Sequence, residues 1–286
     1  MRRTVVSEPG RWDGPAPLPP PPPLALCGVT KVFPGPGGRM LTVLDRFDLD
    51  VAPGEFRALI GPTGCGKSTA LSLISGTARP TAGDVLVGEM PAVAADPRVG
   101  FMFQNDAVFP WKTVLANVAA GPRFRGAGRA EAHEQARDWL RRVGLAGFEH
   151  YFPYQLSGGM RKRVALAQTL ITGPRILLLD EPFSGLDAQT RQIMCDELLE
   201  LWEGTGATVV LVTHDLEEAI ALADTVSVIT AGPASVKKEF TVDLPRPRRV
   251  REIRFHPRFT ELHEQIWSAL SDEVRIAYAR ATTTAA

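Results

Sequence analysis

The chain has 286 residues, with 32 Lys and Arg against 32 Asp and Glu, which allows one large domain with appendages. The balanced charge argues against a protein that lives on nucleic acid, where a basic excess is the rule. Three scattered cysteines, Cys27, Cys65 and Cys195, exclude a disulfide framework and read as reduced thiols. No apolar run is long enough to span a membrane, so any work at a membrane needs a separate membrane partner. Arg2 and Arg3 precede no apolar core, so no secretory signal is expected.

In chain order, residues 1–23 are a proline-rich leader. Pro15, Pro17 and Pro19 to Pro23 favour an extended polyproline conformation, either a disordered leader or a ligand for an SH3-like groove. Leu24 to Phe33 and Thr42 to Val51 are β-rich runs, and Pro34 to Gly38 between them reads as a hairpin loop. Phe33 closes the first run and on its own is a hydrophobic strand end. Phe56 to Ile60 is a buried strand, and Ser68 to Ser75 is a helix packed on a sheet. Asp84 to Val87 is another strand. Val99 to Gln104 is a compact strand ending in a polar residue, and Val108-Phe109-Pro110-Trp111 turns the chain. A helical insertion follows over about 113–172. Within it, Met160 to Thr172 carries Val164, Ala167, Leu170 and Ile171 at helical spacing, with Ser157 placed as a cap. Arg175 to Pro182 then places four aliphatics ahead of Asp180 and Glu181. A helix over 188–202, a strand over 208–212, a helix over 215–222 and a strand over 225–230 complete an alternation that predicts a mainly parallel sheet. From residue 236 the chain turns basic, with Arg246, Arg248, Arg249, Arg251, Arg254 and Arg258 and a short helix over 259–270. Those arginines are either solvated or paired within the chain, or they meet anionic lipid or an acidic partner.

The stretch Gly61-Pro62-Thr63-Gly64-Cys65-Gly66-Lys67-Ser68-Thr69 fits the phosphate-binding loop, and it lies between a strand and a helix as that motif requires. Its glycines let backbone amides turn onto phosphate oxygens, and the helix N-terminus adds partial positive charge. Lys67 is the point charge for the β- and γ-phosphates, and Ser68 offers its hydroxyl to Mg²⁺. The helix start also predicts a reactive Cys65, because it stabilises thiolate. Asp180 and Glu181 end a buried strand, where adjacent side chains point to opposite sides. Asp180 can face Mg²⁺ while Glu181 faces an attacking water, the division of labour that phosphoryl transfer to water needs.

The order of motifs resembles the ATP-binding subunit of an ATP-binding cassette (ABC) transporter. The residues that carry the resemblance are the loop at 61–69, Gln104, Leu156-Ser157-Gly158-Gly159, Leu179-Asp180-Glu181-Pro182, Ser184-Gly185-Leu186-Asp187 and Thr213-His214-Asp215. The match runs from about Leu24 to Thr230. It implies a phosphate-loop ATPase fold (mainly parallel core sheet, N-terminal antiparallel β subdomain, inserted helical subdomain), with ATP and Mg²⁺ as ligands. It also implies that Phe33 stacks on adenine and that Gln104 senses Mg²⁺ and water. Ser157 to Gly159 and Asp187 would meet the nucleotide site of a second copy, and His214 would contact the γ-phosphate and Glu181. Lys67, Gln104, Glu181 and His214 form the implied catalytic set, with Ser68, Gln104 and Asp180 at the metal.

The implied partners are a second copy, two membrane-embedded permease subunits and an external solute-binding protein, with the chain on the cytoplasmic face of the membrane. Met160 stands where the signature usually has glutamine, and activity is expected to survive because the Ser157 hydroxyl and backbone amides remain. Met160, Val108 to Trp111 and Asp243-Leu244-Pro245-Arg246-Pro247-Arg248 resemble a branch that imports nitrate, sulfonates and taurine. Arg161-Lys162-Arg163 carries no assigned role. The competing readings are a soluble ABC ATPase, a phosphate-loop kinase or GTPase, and an ATP binder that does not hydrolyse. The kinase reading leaves Ser157 to Gly159 and His214 unexplained, and intact Glu181 and His214 argue against the last.

Overall fold

Three segments, Phe56–Ile60 (β3), Ile176–Asp180 (β7) and Thr208–Thr213 (β8), are buried at every position, as strands covered on both faces must be. In the computed structural model, which describes residues 20–105 and 107–284, they form the centre of a six-stranded sheet. Val99–Met102 (β6) flanks β7, and Thr225–Ile229 (β9) flanks β3. All five pair in parallel, and Val236–Thr241 (β10) adds an antiparallel strand beside β9.

Alternation splits the apolar side chains of this sheet between two cores. Ala58, Ile60, Leu177, Leu179, Val209 and Leu211 face one core. There they meet helices Gly158–Leu170 (α5), Ala188–Glu203 (α6) and Leu216–Leu222 (α7). Leu59, Ile176, Leu178, Val210 and Val212 face the other, under Lys67–Ile74 (α1). That second core also holds Leu24, Leu26, Phe47 and Val87 of an antiparallel sheet. Its strands are Leu24–Pro34 (β1), Met40–Val51 (β2), Ala82–Val87 (β4) and Met90–Pro91 (β5), in the order β2-β1-β4-β5. A third core joins Val114–Val118 (α2) and Arg129–Arg142 (α4) to α5 through Val118, Ala136, Leu140 and Val164, with Ala120–Phe124 (α3) connecting α2 to α4.

Three expectations need correcting. The strand expected over 99–104 ends at Met102, and Gln104 lies beyond it. The chain after residue 235 is not an appendage, because β10 belongs to the core sheet. The helix expected over 259–270 runs from Pro257 to Thr284 (α9), after the short helix Val250–Ile253 (α8). Phe259, Leu262, Ile266 and Leu270 of α9 are buried in the core of the main sheet.

Most arginines of this segment pair within the chain. Arg246 binds Asp224 at 2.7 Å, Arg254 lies 3.3 Å from Glu217, and Arg258 binds Asp243 and Glu261. Arg248 is buried and donates to the carbonyls of Ala223, Val242 and Leu244. Burial lowers its pKa to about 10. The proline-rich leader lies outside the described residues as far as 19. Its last two residues, Pro22 and Pro23, accept hydrogen bonds from Thr208 and Gly88.

Candidate functional site

The phosphate loop connects β3 to α1. Gly66 is the last residue before the helix, with φ of 119°, a conformation that glycine tolerates and other residues do not. A Cβ there would lie 2.9 Å from the Val43 side chain, so both conformation and space demand glycine. Lys67 is 6% exposed, and its Nζ donates to the carbonyls of Gly61 and Pro62 at 2.8 and 2.9 Å. Its other hydrogen-bond partner is Cys65 Sγ at 3.9 Å, so this buried ammonium is held by neutral groups and its charge faces the loop. Thr63, Gly64 and Ser68 are exposed at the rim.

Cys65 corrects the expected reactivity. It is buried, and that burial raises its thiol pKa, outweighing the opposing pull of Lys67. It therefore lacks the thiolate character that a helix start alone suggests.

β7 ends at Asp180 and Glu181 follows it directly, so the two carboxylates stand together at one strand end. Asp180 Oδ1 accepts from Ser68 Oγ at 2.9 Å. Burial raises the Asp180 pKa, with the Glu181 charge adding to that, while the Ser68 hydrogen bond and the Lys67 charge lower it. The Asp180 carboxylate and Ser68 hydroxyl are two adjacent hard oxygen donors, the share that Mg²⁺ takes from protein when phosphates and water supply the rest. A cation between them would offset the burial cost on Asp180, so these residues fit Mg²⁺.

Glu181 sits just past the strand in a left-handed conformation, φ 43°, uncommon for a residue with a side chain. Its amide donates to Val212 O at 2.8 Å, which fixes the turn. Its Oε2 receives Gln104 Nε2 at 3.1 Å and lies 3.3 Å from His214 Nδ1. Gln104 and His214 thus converge on one carboxylate oxygen, from the ends of two strands on either side of β7.

The residues expected to serve a second copy lie together, away from this carboxylate. Ser157 caps α5 by accepting from Met160 N at 3.3 Å, and it is exposed. A Cβ on Gly159 would meet Thr190 Cγ2 at 3.0 Å, and one on Gly158 would meet Leu186 at 3.8 Å. The signature turn therefore packs against the segment that carries Asp187. Asp187 caps α6, accepting from the amides of Gln189 and Thr190 and from the Thr190 hydroxyl, which lowers its pKa. Among the described residues, no hydrogen bond joins Ser157 to Gly159 with the phosphate loop. Phe33 lies in the hairpin opposite Leu41, with Lys31 Nζ 4.7 Å from its ring centre.

Three supporting residues escape sequence reading. Lys162, buried, donates to Gln104 O at 2.7 Å and so holds the glutamine's backbone. Arg191 donates to Asp215 at 2.6 Å and to Leu186 O at 3.1 Å, tying the Asp187 segment to the His214 turn. Glu218 accepts from the Thr213 hydroxyl at 2.7 Å directly behind His214, and full burial raises its pKa to about 8. No motif marks Lys162 or Arg191. An acidic residue four positions after His214 is the only signal for Glu218.

Residues 44–184 match the family model described as ABC transporter. An uncharacterized ABC transporter ATP-binding protein of Methanocaldococcus jannaschii is 44% identical over 251 residues, covering 88% of this chain and 92% of that one. This chain belongs to the ABC transporter family of ATP-binding proteins. It is an ATPase of that family with the phosphate-loop fold. The taurine import ATP-binding protein TauB of Burkholderia pseudomallei is 44% identical over 227 residues, 78% of this chain and 87% of that one. A solved dimeric structure of an ATP-binding cassette in a post-hydrolysis state, bound to ADP and Pi, superposes with a TM-score of 0.70 at 32% identity. It covers 78% of this chain and all of that one. Among the described residues of this ABC chain, no helix is long and apolar enough to cross a membrane.

Proposed function

We propose that this chain is the ATP-hydrolysing subunit of a membrane importer for a small anion or zwitterion such as nitrate, a sulfonate or taurine. It would work as a homodimer on the cytoplasmic face of permease subunits, with a solute-binding protein on the far side. The observation that carries the hydrolytic reading is the convergence of Gln104 and His214 on Glu181 Oε2, beside the Ser68 and Asp180 pair. The loop Gly61 to Thr69 holds the phosphates through its backbone N–H groups, Pro62 excepted. Lys67 exchanges its two loop carbonyls for β- and γ-phosphate oxygens. Ser68 and Asp180 would hold Mg²⁺, with Gln104 sensing it, and the ion would supply charge neutralisation there. Glu181 orients the attacking water and takes its proton. Gln104 and His214 hold that carboxylate in place, and His214 also reaches the γ-phosphate. Phe33 stacks on the base. Ser157, Gly158, Gly159 and Asp187 of the second copy complete the site, so closure depends on the γ-phosphate and is lost after hydrolysis.

The import reading is supported by the likeness to taurine import proteins and by Met160 with the Val108 to Trp111 turn. A groove of about 670 Å³ beside β6, lined by Phe101, Phe103, Phe109 and Phe124, adds a surface for the permease. Phe103 adjoins Gln104, which gives that surface a one-residue path to the site. The test is reconstitution with the permease and binding protein encoded beside this gene. ATP turnover in proteoliposomes should rise with taurine, an alkanesulfonate or nitrate, and Glu181→Gln should abolish the rise. Turnover indifferent to all three solutes refutes the solute class, and a failure to bind any membrane protein refutes the transport reading.

A further inference from the structure

We propose that the C-terminal helix α9 forms part of the nucleotide site, with Arg280 contacting the base and ribose. This rests on the phosphate-loop reading above. A cavity of about 450 Å³ opens beside the loop, its walls including Leu41, Val43, Gly64, Cys65, Gly232 and Arg280. That volume falls within the range of roughly 300–1,000 Å³ usual for small-molecule pockets. Leu41 is the register partner of Phe33, and directly opposed residues of an antiparallel pair share a face of the sheet. The cavity wall thus runs from the loop that would hold the phosphates to the strand residue opposite Phe33, the aromatic that would cover the base. Of the residues lining it, Arg280 alone is charged.

Arg280 is brought there by the seam along which α9 docks. Phe259, Leu262, Ile266 and Leu270 are buried at spacings of three and four, and the same stripe continues through Glu273 to Arg280. Glu273 is 6% exposed. It accepts from Ala231 N at 2.8 Å and pairs with Lys237 of β10 at 2.8 Å. Arg280 donates to the carbonyls of Ala231 and Gly232. The segment that closes the cavity wall is therefore clamped by α9 at two points, seven residues apart on one helix face. A guanidinium there has a planar face for a purine and donors for ribose hydroxyls.

The test compares ATP, ADP and inorganic tripolyphosphate by calorimetry on the full chain and on Arg280→Ala, Glu273→Gln and Lys67→Ala variants. Arg280→Ala should weaken ATP and ADP equally, by about tenfold, and leave tripolyphosphate unchanged. Glu273→Gln, which loosens the clamp but keeps the guanidinium, should weaken ATP less than Arg280→Ala does. Unchanged ATP affinity in Arg280→Ala overturns the inference. An equal loss for tripolyphosphate also overturns it, because the residue would then act only through the phosphate loop. If Lys67→Ala leaves all three affinities intact, the phosphate-loop reading itself fails, a result distinct from either.

Discussion

Two helices of this chain begin on glycine-rich turns, and they begin differently. The turn before α1 is closed: Lys67 is buried and bonded to the loop's own carbonyls, Gly66 is packed against Val43, and Ser68 is bonded to Asp180. The turn before α5 is open. Ser157 caps its own helix at the surface, and the glycines after it lie beside Leu186, Thr190 and Arg161. Both starts present amides to an anion by the same physics. The first is held together by contacts within one chain. The second is a surface whose chemistry needs something brought to it.

That contrast can be broken or sharpened by substitution, and the largest effect should come from the closed turn. Lys67→Ala should lower ATP affinity by at least about 100-fold and remove measurable hydrolysis, read by nucleotide binding and phosphate release. Glu181→Gln should lower turnover by about 100-fold or more with ATP affinity kept. It should also accumulate an ATP-bound dimer on gel filtration. At the open turn, Ser157→Arg should lower hydrolysis by about tenfold or more while leaving ATP affinity of the separate chain within about twofold. If Ser157→Arg instead weakens ATP binding to a single copy, the two turns do not belong to different halves of the site.

The smallest effect concerns the support behind His214. Glu218 titrates at about 8 in the fold, above its ordinary value, because it is fully buried. A raised carboxyl stabilises the fold fully below its unfolded pKa, and that stability is lost as pH rises through about 8. Glu218→Gln keeps an acceptor for Thr213 and removes the ionisation. Its melting temperature should fall less than the wild type's between pH 6 and 8.5, by about 3 °C. Parallel melting curves across that range would refute a proton on Glu218.

Local pattern reveals the site and only part of the fold. The loop at 61–69 and the carboxylates after four aliphatics are visible because their spacing is set by contacts within a few residues. β10 is harder. Lys237, Lys238 and Glu239 run together with only Phe240 buried, and the strand exists because it pairs with β9. The apolar stripe of α9 changes from Leu270 to Glu273 and Arg280, so its periodicity fades where its partners become polar. Arg248 looks solvated in sequence. It is buried among carbonyls, two from nearby Val242 and Leu244 and two from Ala221 and Ala223 more than twenty residues earlier. Asp187 is legible as part of a motif, yet its capping of α6 depends on local backbone shape. Cys65 misleads for a simple reason: a helix start favours thiolate, and burial outweighs it.

β10 has a consequence of another kind. It is the antiparallel margin of the six-stranded sheet, with Lys238 and Glu239 exposed along it. Unpaired strand margins invite ladder formation with neighbouring molecules, and charged side chains discourage it. A second molecule cannot readily prolong the sheet at this margin, so contacts made elsewhere on the chain can be joined and parted without unzipping a β-ladder at β10.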